Sequence, residues 1–237
     1  NIQAMNIWCA NIGWKWGDVW VKRLQQMVAE NCSIPYNFRC ISDHEIDGVE
    51  TVPFSRDIFI TKEHHSQRQD SPQMVLSEDK PQGCWAKVDA WKVAPTGSFN
   101  LLLDLDVCVV GDLAELVRLQ PSGAKDCRHT DSNPWLNGSV ISWMSTVSTQ
   151  AVYPEYIPYT EFPRGEQEYV QKALKTFYPL EGVYSYKCHL TGKTRNKLPE
   201  DAIVIFFHGH PTPASDKVQD YSWISRTWKG LDRIERV

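Results

Sequence analysis

Two aspartates one residue apart, Asp104 and Asp106, follow an unbroken apolar run in LLLDLDVCVVGDL, residues 101–113. On an extended chain, positions i and i+2 point to the same side. The pair can therefore present two hard oxygen ligands to one divalent cation. Mn²⁺ or Mg²⁺ accepts carboxylates and keeps sites for phosphate oxygens. Two neighbouring carboxylates repel, and a cation between them relieves the repulsion. The plainer reading of the same pattern is a strand end with two solvated aspartates. A second apolar run, AIVIFF (residues 202–207), leads directly into His208-Gly209-His210. His208 is either a hydrogen-bonded structural histidine or a further ligand.

The surrounding pattern says what must position these groups. NIWCA (6–10) reads as a first strand. Residues 18–31 carry Val19, Val21, Leu24, Met27 and Val28 at helical spacing, with Asp18 as the expected N-cap. YNFRCI (36–41) reads as a second strand, and residues 51–55 as a short third. Strand, helix, strand in this order is a βαβ unit, which implies a parallel sheet. Ligands bind such sheets beyond the carboxyl ends of the strands, where Trp14, Trp16, Gly17, Ser42 and Asp43 fall. Residues 56–83 are polar and poorly periodic, which suggests a long binding loop. The spacing of Trp85, Val88, Trp91 and Val93 predicts one helix over 85–94. Strands are expected at 99–103, 107–110, 137–144 and 202–207, with helices at 112–117 and 165–177. Without a repeat or low-complexity linker, residues 5–237 read as one mixed α/β domain. Residues 1–4 precede Met5, which reads as a natural start, and are set aside.

LLLDLDVCVVGDL resembles the apolar strand, DxD and GDL of the GT-A glycosyltransferases that use nucleotide sugars. The glycogenin-like and lipopolysaccharide galactosyltransferase-like branch is the most similar. The resemblance implies a single GT-A domain with a mixed, mostly parallel central sheet flanked by helices. It implies a divalent metal, Mn²⁺ or Mg²⁺, on Asp104, Asp106 and His208. It implies a nucleotide-sugar donor, UDP-linked by analogy, touched by Asp104, Leu105 and Gly209, with His210 where the branch usually has a lysine. Lys87, in GCWAKVDAWKV, matches a basic residue that meets donor phosphate or sugar, against a plain reading as a solvated helical lysine. Asp89 lies nearby as a partner for a sugar hydroxyl. Asn137-Gly138 resembles the segment lining the sugar pocket and also makes a good tight turn. Glu166-Gln167 resembles the Asp-Gln segment beside the reacting sugar, with Glu in place of Asp. Ala10, Asn11, Trp16, Gly17 and Asp43 match the place of the base and ribose. The branch favours retention; inversion would need a general base, for which Glu166 is the candidate.

Bulk properties narrow the setting. The chain has 237 residues, 42% of them hydrophobic, and a net charge of −4, so nothing drives it as a whole toward nucleic acid or anionic lipid. Lys187, Lys193, Arg195 and Lys197 form a local basic stretch, read either as a solvated loop or as a clamp for a phosphate-bearing ligand. Seven cysteines without CxxC spacing imply neither a disulfide framework nor a zinc site, and a reducing cytoplasm fits. No apolar run reaches the ~18 residues of a membrane span. The acceptor is expected to be a saccharide or another hydroxyl-bearing molecule. A hydroxylated DNA base is possible but not favoured. Residues 56–83 and the aromatic stretch 153–162 are expected to frame it. Two competing readings are a nucleotidyltransferase, which would want a Gly-rich phosphate loop near the N-terminus, and a non-catalytic sugar-nucleotide-binding protein, which would be expected to lose the aspartates or the histidine.

Overall fold

The computed structural model describes residues 4–13, 16–55, 83–126, 135–153, 165–190 and 195–228. Strand β1 (Met5–Asn11) leads through helix α1 (Asp18–Glu30) to β2 (Tyr36–Ser42) and then β3 (Glu50–Pro53). All three strands run parallel, as the βαβ pattern requires. Asp18 is the first residue of α1 rather than its cap; Gly17 holds the N-cap position without a side-chain bond. The Asp18 carboxylate instead reaches His44 and Asn11, partners that lie beyond its own helix.

The helix expected over 85–94 is two short ones, α2 (Gly83–Ala86) and α3 (Asp89–Val93). Lys87 and Val88 form the break, their amides donating three residues back to Cys84 and Trp85. That tightening carries the Lys87 side chain inward. Trp91 holds α3 to the sheet by stacking on Trp143, with ring centroids 4.1 Å apart.

Strand β4 (Phe99–Leu103) pairs parallel with β1 on one side. On the other side it pairs antiparallel with β7 (Leu136–Met144). Strand β6 (Ser122–Lys125) joins β7, and the two-residue β8 (Tyr178–Pro179) joins β6. The seven-stranded sheet has the order β3-β2-β1-β4-β7-β6-β8. Alternation along β4 divides the core: Leu101 and Leu103 belong to one apolar cluster and Leu102 to the other. A buried polar contact ties β4 to β1, with Asn100 Oδ1 accepting from Trp8 Nε1 at 3.0 Å.

A second sheet carries the rest of the site. Strand β5 (Val107–Val109) pairs antiparallel with β10 (Val204–Phe206), which pairs parallel with β9 (Val183–Ser185). Gly111 of the GDL segment follows β5. A Cβ there would stand 2.7 Å from the Ala202 carbonyl oxygen, so glycine is what lets the chain pass. Asp112 then caps the 3-10 helix Leu113–Leu116 by accepting from Ala114 N. Helices α4 (Val147–Gln150), α5 (Glu166–Leu174), α6 (Asp216–Gln219) and α7 (Ser222–Thr227) complete the described chain. Among the described residues, no helix is long and apolar enough to cross a membrane.

Candidate active site

Three groups of side chains gather beyond strand ends. The first forms where β4 leaves the sheet and β7 enters it, a junction closed by Asp104 N donating to Ser139 O at 2.9 Å. The Lys87 ammonium sits there, 6% exposed. It donates to Asp104 Oδ1 at 2.8 Å and to the Gly138 carbonyl at 3.0 Å. It also pairs with Glu166 Oε1 at 2.6 Å. An ammonium has three protons, and here there are three acceptors. Burial alone would lower the Lys87 pKa, but the charges of Asp104 and Glu166 outweigh it and raise it. Lys87 is thus a fixed cation, and contact with a phosphate would have to replace one of its bonds.

Gly138 is the small residue around which this group closes. A Cβ on it would lie 2.7 Å from Glu166 Oε1 and 3.2 Å from Lys87 Nζ. Its amide donates to Gln167 Oε1 at 3.3 Å, and Leu136 N donates to Gln171 Oε1 at 2.9 Å. These bonds fix α5 to β7 and so orient both Glu166 and Gln167. Asn137 is turned to its own backbone, its Oδ1 accepting from Ser139 N. Asp89 is fully buried, and its Oδ2 accepts from Ser55 N at 2.6 Å, which ties α3 to the chain leaving β3.

The second group surrounds the ends of β5, β9 and β10. Phe207 N donates to the main-chain oxygen of Asp106 at 3.1 Å, extending the β5–β10 ladder by one residue. Asp106 therefore stands opposite Phe207, the residue before His208, and Leu105 is buried. His208 Nε2 lies 2.8 Å from Ser185 Oγ. Lys187 Nζ donates to the His208 carbonyl at 2.5 Å. Gly209 has φ +72°, a conformation that favours glycine. His210 is exposed. Among the described residues, no three His, Cys, Asp or Glu side chains are gathered into a metal cage. The chemistry of the donor set still suits Mn²⁺ or Mg²⁺: two hard carboxylates and one imidazole, with Asp106 opposite the residue that precedes His208.

The third group lies at the ends of β1 and β2. Asn11 is fully buried, and its Oδ1 has no hydrogen-bond partner among the described residues. Ala10 precedes it, half-buried. Asp43 Oδ2 accepts from Gly13 N at 3.0 Å. His44, which the sequence reading passed over, bridges Asp18 at 2.7 Å and Asp43 at 2.9 Å. Those two bonds raise its pKa, Asp18 contributing most. Trp16 packs on Trp20, which in turn meets Trp228, an arrangement that anchors the start of α1. Trp14, Lys193 and almost all of both expected acceptor-framing segments lie outside the described residues.

One cysteine is not the free thiol expected of a reducing cytoplasm. Cys9, Cys32, Cys40, Cys84 and Cys108 are free thiols, but Cys188 is disulfide-bonded, its partner lying outside the described residues. Spacing along the chain carries no information about which thiols meet in space.

No family model matches the chain, and neither does any curated protein. Solved structures do. The galactosyltransferase LgtC, in complex with donor and acceptor sugar analogs, is similar with a TM-score of 0.61 at 10% identity. That match covers 94% of this chain and 95% of LgtC. The chain has a GT-A glycosyltransferase fold. The bifunctional glycosyltransferase WbbM gives the same TM-score of 0.61 at 10% identity, over 96% of this chain and 50% of WbbM. The glycosyltransferase GlyE of Streptococcus pneumoniae gives 0.55 at 12% identity, over 95% of this chain and 63% of GlyE. In the GT-A fold of this chain, the three groups lie beyond the ends of β1, β2, β4 and β10, and the DxD segment joins the first group to the second.

Proposed function

We propose that the chain is a glycosyltransferase that moves a sugar from a nucleotide-diphosphate donor to an acceptor hydroxyl. The observation that carries this is the meeting of Lys87, Asp104, Gly138 and Glu166 at the β4–β7 junction of a GT-A fold. Asp104, Asp106 and His208 would hold Mn²⁺ or Mg²⁺. A divalent cation there supplies Lewis-acid stabilisation to the departing diphosphate. Ala10, Asn11, Gly17 and Asp43 serve the nucleoside.

Glu166 and Gln167 face the sugar as positioning groups in this reading. The Glu166 carboxylate is held 2.6 Å from the Lys87 ammonium, which supports a role in fixing that cation rather than in serving as a general base. Transfer with retention needs no such base, and it is the outcome proposed. LgtC, the fold neighbour, was crystallised with donor and acceptor sugar analogs, which supports a saccharide or similar polyol as acceptor.

The test is a panel of nucleotide sugars incubated with Mn²⁺, with release of nucleoside diphosphate measured. Wild type should release it, EDTA should stop the release, and Asp106→Asn should lower it by at least about a hundred-fold. Undiminished release in EDTA or in Asp106→Asn would refute the metal assignment. Pyrophosphate release from a nucleoside triphosphate would identify a nucleotidyltransferase instead.

A further inference from the structure

We infer that Lys187 is the side chain that meets the donor diphosphate, a role that rests on the donor reading above. The diphosphate brings negative charge to the second group of residues, and a cation must face it. Lys87 is fully engaged by Asp104, Glu166 and Gly138. His210, which stands where the resembling branch has lysine, is exposed beyond Gly209.

Lys187 comes to the same place by another route. Strands β9 and β10 run parallel with Ser185 opposite Phe206, and Tyr186 N donates to Phe206 O at 3.0 Å. The chain leaving β9 therefore lies against the chain leaving β10. The Lys187 ammonium reaches the His208 carbonyl, and it would lie 3.6 Å from a Cβ placed on Gly209. The missing Cβ opens the approach to backbone and ammonium together. Asp106 is hydrogen-bonded to the opposite edge of β10 through Phe207. The His208-Gly209 turn thus has the Asp106 main chain against one edge of the β10 extension and the Lys187 ammonium at the other. A bridging cation on the first edge and an ammonium on the second would hold a diphosphate from both sides. Lysine suits this role as a compact point charge.

The experiment titrates UDP, GDP, CDP and ADP, and their monophosphates, into the intact protein with Mn²⁺ by calorimetry. Lys187→Met should weaken the best-bound diphosphate by about ten-fold or more and the matching monophosphate distinctly less. Lys187→Arg should recover most of the loss. Equal diphosphate affinity in wild type and Lys187→Met would overturn the assignment alone. An equal loss for diphosphate and monophosphate, unrescued by arginine, would overturn it in favour of a purely structural role in the turn. Wild type that binds none of the diphosphates would refute the donor reading itself.

Discussion

Replacing Lys87 by methionine removes one ammonium and leaves the buried Glu166 and half-buried Asp104 carboxylates without their shared partner. Breaking a buried ion pair from one side costs about 3–5 kcal/mol. Urea unfolding of Lys87→Met should show a loss of that order, and adding Glu166→Gln should restore part of it. A loss below about 1 kcal/mol would mean that water already screens the pair. The second residue-scale expectation concerns His44. Its two carboxylate partners raise its pKa above the ordinary 6.5. A group raised on folding contributes stability that is fully present below its unfolded pKa and lost as pH rises through its folded one. An NMR titration should place the imidazole midpoint above 6.5 and bring it down in Asp18→Asn. At this scale the sequence placed Asp104 just past an apolar strand, and β4 ends one residue before it. The sequence was silent where partners meet only in space. His44 and Asp18 are 26 residues apart, and Lys87 showed nothing of its three acceptors.

Elements were legible in proportion to their periodicity. The apolar runs of β1, β4 and β7 and the helical spacing of α1 and α5 fall close to where they were expected. Strand β6 was missed because Ser-Gly-Ala-Lys carries none of the β-branched or aromatic residues that mark a strand; β7 on one side and β8 on the other hold it in the sheet. Strand β8 is too short for any pattern. The break between α2 and α3 was hidden because the apolar spacing runs straight across it. The GDL segment shows what a short motif means physically. Gly111 permits a backbone crossing and Asp112 caps the next turn. Gly111→Ala should destabilise the protein by about 1–3 kcal/mol, read by denaturant melts, because the obstructing atoms are backbone and cannot swing away. An unchanged melt would show that the β5–β10 crossing relaxes freely.

For the molecule as a whole, the topology joins two sheets through residues 104–106, so two of the proposed metal ligands, Asp104 and Asp106, sit on the connection between them. The Cys188 disulfide ties down the chain next to Lys187. Closing a chain in this way commonly adds about 2–4 kcal/mol. Treatment with dithiothreitol should therefore lower the melting temperature, and should weaken diphosphate binding more than monophosphate binding. A melting temperature indifferent to reductant would mean that the bond adds nothing to the fold.

The Lys87 group also sets an order of events. At the β4–β7 junction one ammonium meets the carboxylates of Asp104 and Glu166, and Asp106 adds a third carboxylate two residues along the chain. An anionic donor approaching that rim unaccompanied meets net repulsion. Addition should therefore be compulsory: cation first, or cation and donor as one complex. Nucleoside diphosphate titrated without divalent metal should bind at least about ten-fold more weakly than with it, and equal affinity in both conditions would contradict this. Kinetically, the free protein would be a poor trap for its donor, and the supply of cation, more than the concentration of sugar nucleotide, would decide when turnover begins.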